Sequence, residues 1–143
     1  MKGERSCLAM HLNHVCIAVN DLEATLELYH GIFGLSGSEI EEISDQGVCA
    51  ALVRIGESQL EFIQPTEPNN TVARFIERRG EGLHHVCFEV EDLQGTLKSL
   101  AESGVKLIDS QPRKGLSGMI AFLHPRSTGG TLIELVDQQT ARR

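Results

Sequence analysis

The feature that most constrains this chain is a duplication inside it. Leu83-His84-His85-Val86-Cys87-Phe88-Glu89-Val90-Glu91-Asp92-Leu93 repeats Leu12-Asn13-His14-Val15-Cys16-Ile17-Ala18-Val19-Asn20-Asp21-Leu22, with seven of the eleven positions identical at a constant offset of 71. Chance likeness between two short apolar runs is common. Identity through His14-Val15-Cys16 and His85-Val86-Cys87 in one register is not, so the chain reads as two tandem copies of one unit.

Each copy continues in the same way. An Asp-Leu pair opens a helical pattern, with Leu22, Leu26 and Tyr29 in the first copy and Leu93, Leu97 and Leu100 in the second at helical spacing. Asn20-Asp21-Leu22-Glu23 reads as an N-cap, and Gly31 or Gly34 as the stop. In the first half, residues 12–19, 36–43, 48–55 and 59–64 read as strands, with a turn at Asp45-Gln46-Gly47. Pro65 to Asn70 reads as a linker and Thr71 to Arg79 as a short helix. In the second half, a helix over 93–103 stops at Gly104. Strands follow at 105–108, 119–123 and 131–136, with loops over 109–118 and 124–130. Residues 1–10 and the tail from Gln138 carry no pattern. The order βαβββ, used twice, predicts an α+β fold in which two tandem modules place their sheets side by side as a cupped half-barrel.

Composition excludes several roles. A net charge of −7 is the wrong sign for a surface built to hold phosphate backbones, so nucleic acid is not the expected partner. No apolar run approaches the ~20 residues of a membrane span, and Met1 to Ser6 lacks the apolar core of a secretion signal, so a cytoplasmic location is expected. The four cysteines, Cys7, Cys16, Cys49 and Cys87, form no CxxC pair and read as reduced thiols, three of them inside apolar strands.

Two residue pairs recur with the repeat. The histidines are His14 and His85, and each half closes on a strand glutamate, Glu61 in Gln59-Leu60-Glu61-Phe62-Ile63 and Glu134 in Leu132-Ile133-Glu134-Leu135-Val136. Strand alternation puts Leu132, Glu134 and Val136 on one face and Ile133 and Leu135 on the other. Both faces are apolar, so Glu134 is expected to be buried and to need a cation. Cys16 and Cys87 share faces with the histidines two residues before them. Two imidazoles and two carboxylates suit a divalent transition metal with open coordination positions, rather than a structural zinc held by thiolates.

The histidine strands, Asn13-His14-Val15 to Asp21-Leu22 and Gly82-Leu83-His84-His85-Val86, resemble the vicinal-oxygen-chelate superfamily of glyoxalases, epimerases and extradiol dioxygenases. Arg79-Gly80-Glu81-Gly82-Leu83-His84-His85, Gly104-Val105-Lys106-Leu107-Ile108-Asp109, Phe122-Leu123-His124-Pro125-Arg126-Ser127-Thr128-Gly129-Gly130 and Leu132-Ile133-Glu134-Leu135 resemble the methylmalonyl-CoA epimerase family more closely. The resemblance implies one glyoxalase-like domain over residues 11–137, made of repeats at about 11–64 and 82–137 joined by 65–81. It implies one divalent ion (cobalt, manganese, nickel or zinc) on His14, Glu61, His85 rather than His84, and Glu134. It also implies an acyl-CoA substrate and a homodimer.

The activity so implied is R/S interconversion of methylmalonyl-CoA, by removal of the proton α to the thioester through a metal-stabilised enolate, with Glu134 as base. Some family members use a second glutamate in the strand after the Gln-Gly turn. The matching position here is Ala50, which leaves the second acid/base unassigned. Arg113, Lys114 and Arg126 are candidates for CoA phosphates, and Lys114 to Gly118 for a segment that closes over a ligand. His124 reads as a packing or capping residue.

The runner-up is a metal-dependent glyoxalase I acting on a glutathione hemithioacetal. A non-catalytic antibiotic-sequestering protein would want aromatic walls, and the chain has five Phe, one Tyr and no Trp. A ring-cleaving dioxygenase would use an iron triad with a single carboxylate.

Overall fold

The computed structural model describes residues 7–142. These form eight strands and three α-helices, grouped into two units. One unit is His14–His85. The other is Val86–Arg142 together with the described residues up to Asn13.

In the His14–His85 unit, strand β1 (Ala9–Ala18, entering at His14) leads to helix α1 (Leu22–Phe33). The Asp21 side chain accepts the Ala24 N–H at 3.0 Å, and the Gln64 side chain accepts the Leu22 N–H at 2.8 Å. Such a cap contributes ~1 kcal/mol. The helix runs through Gly31 and stops at Gly34, which takes φ 71° and returns its N–H to His30. Its apolar stripe, Leu22, Leu26 and Tyr29, packs on Ala51, Val53 and Phe62. The strands beneath are β2 (Glu41–Ile43), β3 (Val48–Ile55) and β4 (Ser58–Pro65), in the order β2-β3-β4-β1, with β4 and β1 parallel.

The expected strand over 36–43 is paired only from Glu41. Before it, the Ser38 hydroxyl accepts the Leu52 N–H at 2.9 Å, so a side chain replaces a ladder carbonyl and Gly37 keeps one bridge to Val53. Helix α2 (Thr71–Arg79) falls where expected. Asn70 caps it through Ala73 and also donates to the Gly47 carbonyl at 2.7 Å, tying the linker to the turn after β2.

The other unit repeats this plan with β5 (Gly82–Val90, from Val86), α3 (Leu93–Glu102), β6 (Arg113–Gly115), β7 (Gly118–Leu123) and β8 (Ile133–Asp137). Asp92 caps α3, and the Asp137 side chain accepts the Leu93 N–H, as Asp21 and Gln64 do for α1. The repeat extends to register. Cys16 pairs with Glu61 and Cys87 with Glu134; Ala50 with Ile63 and Ile120 with Val136; Glu41 with Ala50 and Arg113 with Ile120.

Four expectations change in this unit. Residues 105–108 are not a strand: Ser127 accepts the Lys106 N–H and Asp109 the Phe122 N–H, leaving one bridge from Leu107 to Leu123. The loop expected over 109–118 contains β6, so Lys114 to Gly118 is the tip of a hairpin and not a free flap. Ser117 there is 1% exposed, and its carbonyl accepts the Arg142 N–H at 2.7 Å. That bond also orders the tail expected to be patternless. At the other end, β1 begins at Ala9, inside the stretch expected to be irregular, while residues 1–6, on which the reading that Met1 to Ser6 lacks a secretion-signal core falls, lie outside the described residues. His124 caps the 3-10 turn Pro125–Ser127 by accepting the Arg126 N–H at 3.0 Å, which bears out a capping role.

Candidate functional site

Paired residues in a sheet point to one face, so the registers place His14 and Cys16 of β1 with Gln59 and Glu61 of β4. This is the face turned away from α1. It is nonetheless dry: His14 is 0% exposed, His85 5% and Glu61 6%. The three side chains converge. His14 Nε2 and His85 Nε2 lie 3.3 Å apart, and Glu61 Oε1 is 3.5 Å from the first and 3.6 Å from the second. The rings meet edge to face at 76°.

That triangle has the dimensions of one side of a coordination sphere. Ligand atoms about 2.1 Å from a divalent ion stand about 3.0–3.4 Å apart for angles between octahedral and tetrahedral. Imidazole nitrogen and carboxylate oxygen are also the donors that divalent transition metals take. The residues fit such an ion.

His85 is held from behind. Its Nδ1 lies 2.8 Å from His84 Nδ1, and the His84 ring packs edge-on against Phe75 of α2 at 4.8 Å. With the Nδ1 side engaged, the Nε2 of His85 is left directed at His14 and Glu61. Of the adjacent pair, His85 is the one whose Nε2 lies 3.3 Å from His14 and 3.6 Å from Glu61, and the sequence argument misses the contact that His84 makes behind it. Cys16 lies beside this group, its sulfur within 4.8 Å of ligand atoms of His84 and His85. None of the four cysteines is in a disulfide.

In the other unit, Glu134 is 5% exposed, as its doubly apolar strand requires, and pairs with Cys87 and Phe122. It occupies the register position that Glu61 holds in the first unit. Arg113, repeat-equivalent to Glu41, lies with its guanidinium over the Phe122 ring at 5.6 Å and donates from Nε to Asp109 at 3.0 Å. Lys114 and Arg126 are exposed.

Two polar groups in this unit escape the sequence reading. Glu89 is 1% exposed and accepts from the Asn13 amide at 2.9 Å; only its alternation with His85 and Cys87 hints at that burial. The buried Ser117 hydroxyl has no hydrogen-bond partner among the described residues, a state that costs free energy unless something satisfies it.

Comparison with known proteins gives a consistent set of relatives. The family model described as the glyoxalase/bleomycin resistance protein/dioxygenase superfamily matches residues 13–122. Protein YqjC of Bacillus subtilis (strain 168), itself uncharacterised, is 37% identical over 127 residues, which are 88% of this chain and 91% of that protein. The ethylmalonyl-CoA/methylmalonyl-CoA epimerase of Cereibacter sphaeroides is 35% identical over 127 residues, 87% of this chain and 95% of that enzyme. The crystal structure of methylmalonyl-CoA epimerase from Mycobacterium tuberculosis superposes with a TM-score of 0.87 at 33% identity, covering 95% of this chain and 93% of that one.

Proposed function

The chain belongs to the glyoxalase/bleomycin resistance protein/dioxygenase superfamily and, within it, to the methylmalonyl-CoA epimerases; from that premise we propose that it interconverts the R and S epimers of methylmalonyl-CoA at a divalent metal site of His14, Glu61, His85 and Glu134. The observation that carries the reading is the buried triangle of His14, His85 and Glu61 at coordination spacing. The place of Glu134 rests on the repeat, which gives it the register and burial of Glu61.

When bound, a divalent ion supplies Lewis-acid stabilisation of negative charge building on the thioester oxygen. The protein does the rest. Buried ligands keep water from the α-carbon, and the Glu134 carboxylate accepts the α-proton. The Ser117 hydroxyl offers a hydrogen bond to a substrate oxygen, which would satisfy it. Arg113, Lys114 and Arg126 are the cations assigned in this reading to the anionic CoA portion; Arg113 is held by Asp109 and lies over Phe122, and Lys114 and Arg126 are exposed.

The deciding experiment compares solvent deuterium uptake at the α-carbon of methylmalonyl-CoA with turnover of a glutathione hemithioacetal. Uptake with no hemithioacetal turnover supports the epimerase, and the reverse supports the glyoxalase I reading.

His84 gives a prediction of its own. His84→Phe keeps a ring against Phe75 but removes the nitrogen facing His85 Nδ1, so metal affinity is expected to fall about 10- to 100-fold. Titration calorimetry with Co²⁺ checks this, and an unchanged affinity would remove His84 from the site.

Assembly is proposed as a homodimer with each site complete within one chain. Exposed apolar side chains support it, notably Leu28, Ile32 and Phe33 on α1. Sedimentation showing only monomer at micromolar concentration would rule it out. Among the described residues no helix is long and apolar enough to cross a membrane. Four cysteines kept as thiols support the cytoplasm as its compartment.

A further inference from the structure

Inverting one carbon takes two proton-transfer groups, because one proton leaves one side and another arrives on the opposite side. Glu134 is one of them. Ala50, at the position where some epimerases carry glutamate, is fully buried and has nothing to ionise.

The registers show which carboxylate can stand in for it. Glu61 and Ile63 face Leu52 and Ala50 across β4 and β3, and Ala50 faces Glu41 across β3 and β2. Partners share a face, so Glu41 lies on the same face as His14 and Glu61. On that face the strands β1 to β4 carry two carboxylates, Glu61 and Glu41. The neighbouring Glu42 pairs with Cys49 and points to the helix side. Directly opposite residues hold their Cβ atoms about 4.5–5.5 Å apart. An alanine there leaves room for the longer side chain of Glu41 to lie over it.

Exposure separates Glu41 from Glu89, the carboxylate of β5 outside the proposed ligand set. Glu89 is 1% exposed and bound to the Asn13 amide, whereas Glu41 is half-buried and can exchange its proton with water between turnovers. In the second unit the equivalent position is Arg113, opposite Ile120, so the two units differ in charge at this point of an otherwise shared plan.

We propose that Glu41 is the second acid/base of the reaction, supplying from β2 the carboxyl group that position 50 lacks. The proposal rests on the epimerase reading. Glu134 takes the α-proton of one epimer while the C–H electron pair moves toward the thioester oxygen. The carboxylic acid of Glu41 then returns a proton to the α-carbon, leaving Glu41 ionised and Glu134 protonated. The reverse turnover, or exchange with water, restores the starting state.

The test is α-proton washout into D₂O from each epimer separately, on metal-loaded full-length protein with circular dichroism and metal content recorded. Glu41→Gln is expected to keep washout from one epimer near the wild-type rate, and to lose at least ~10²-fold in washout from the other and in net epimerisation. The double substitution Glu41→Ala with Ala50→Glu, which moves the carboxylate directly across the strand pair, is expected to restore both. Wild-type washout from both epimers in Glu41→Gln overturns the proposal. So does a folded, metal-loaded double variant that restores nothing. Wild-type protein that washes out neither epimer overturns the epimerase reading itself, and the proposal with it.

Discussion

Glu134→Gln is expected to lower interconversion of the methylmalonyl-CoA epimers by at least ~10²-fold while still binding metal supplied in excess. The amide keeps an oxygen able to coordinate but cannot take a proton. Glu134 sits 5% exposed in a strand that is apolar on both faces, so its ionised form needs a cation beside it. The neutral amide removes that need and weakens metal binding without destroying the strand. Glu61→Gln is the control. The family resemblance allows Gln or Glu at that position, so metal and much of the activity should survive there. The readout is deuterium incorporation from each epimer, with metal occupancy measured on the same samples. If metal-loaded Glu134→Gln exchanges both epimers as fast as wild type, Glu134 is a ligand only.

The second large effect is on stability. His14, His85 and Glu61 turn lone pairs toward one dry point, an arrangement that a cation stabilises in the folded chain. By mass action, metal at about 100 times its dissociation constant adds ~2.7 kcal/mol. For a chain of this size that raises the melting temperature by roughly 5–10 °C. Calorimetry of chelator-treated protein, with and without added Co²⁺ or Mn²⁺, measures it. His14→Ala should abolish the shift, having lost one corner of the triangle. Equal melting temperatures with and without metal would sink the assignment.

The convergence of His14, His85 and Glu61 was legible because the duplication aligned the candidate residues. A lone strand histidine says little, but His14 and His85 at one register, each with a glutamate closing its half, mark equivalent places in the two copies. The burial of Glu134 followed from alternation alone. What stayed hidden depends on single side chains replacing backbone partners. Val105 to Ile108 reads as an apolar strand, yet Ser127 and Asp109 take the hydrogen bonds that would have paired it. Arg113-Lys114-Gly115 is too short and polar to announce an edge strand, so the hairpin read as a loop. Ser117 in a glycine-rich run carries no signal of burial. The link from His84 to His85 exists only once Phe75 of α2 is brought against the ring.

The paired registers also show where this chain tolerates a change of length. Between the two copies the offset is 71 from β1 to β5, 72 from β2 to β6, 70 from β3 to β7 and 73 from β4 to β8, yet every cross-strand partnership described above is kept. Each insertion or deletion since the copies diverged therefore fell in a connection, such as the four residues between β2 and β3 that are two between β6 and β7. Lengthening a loop costs little, about 0.6 kcal/mol per doubling, whereas one added residue inside a strand would turn its ligand to the opposite face. An epitope or a reporter domain belongs in the connection between β2 and β3, where the chain's own history has already tested the edit, and not between β6 and β7, where Ser117 is buried and assigned to substrate.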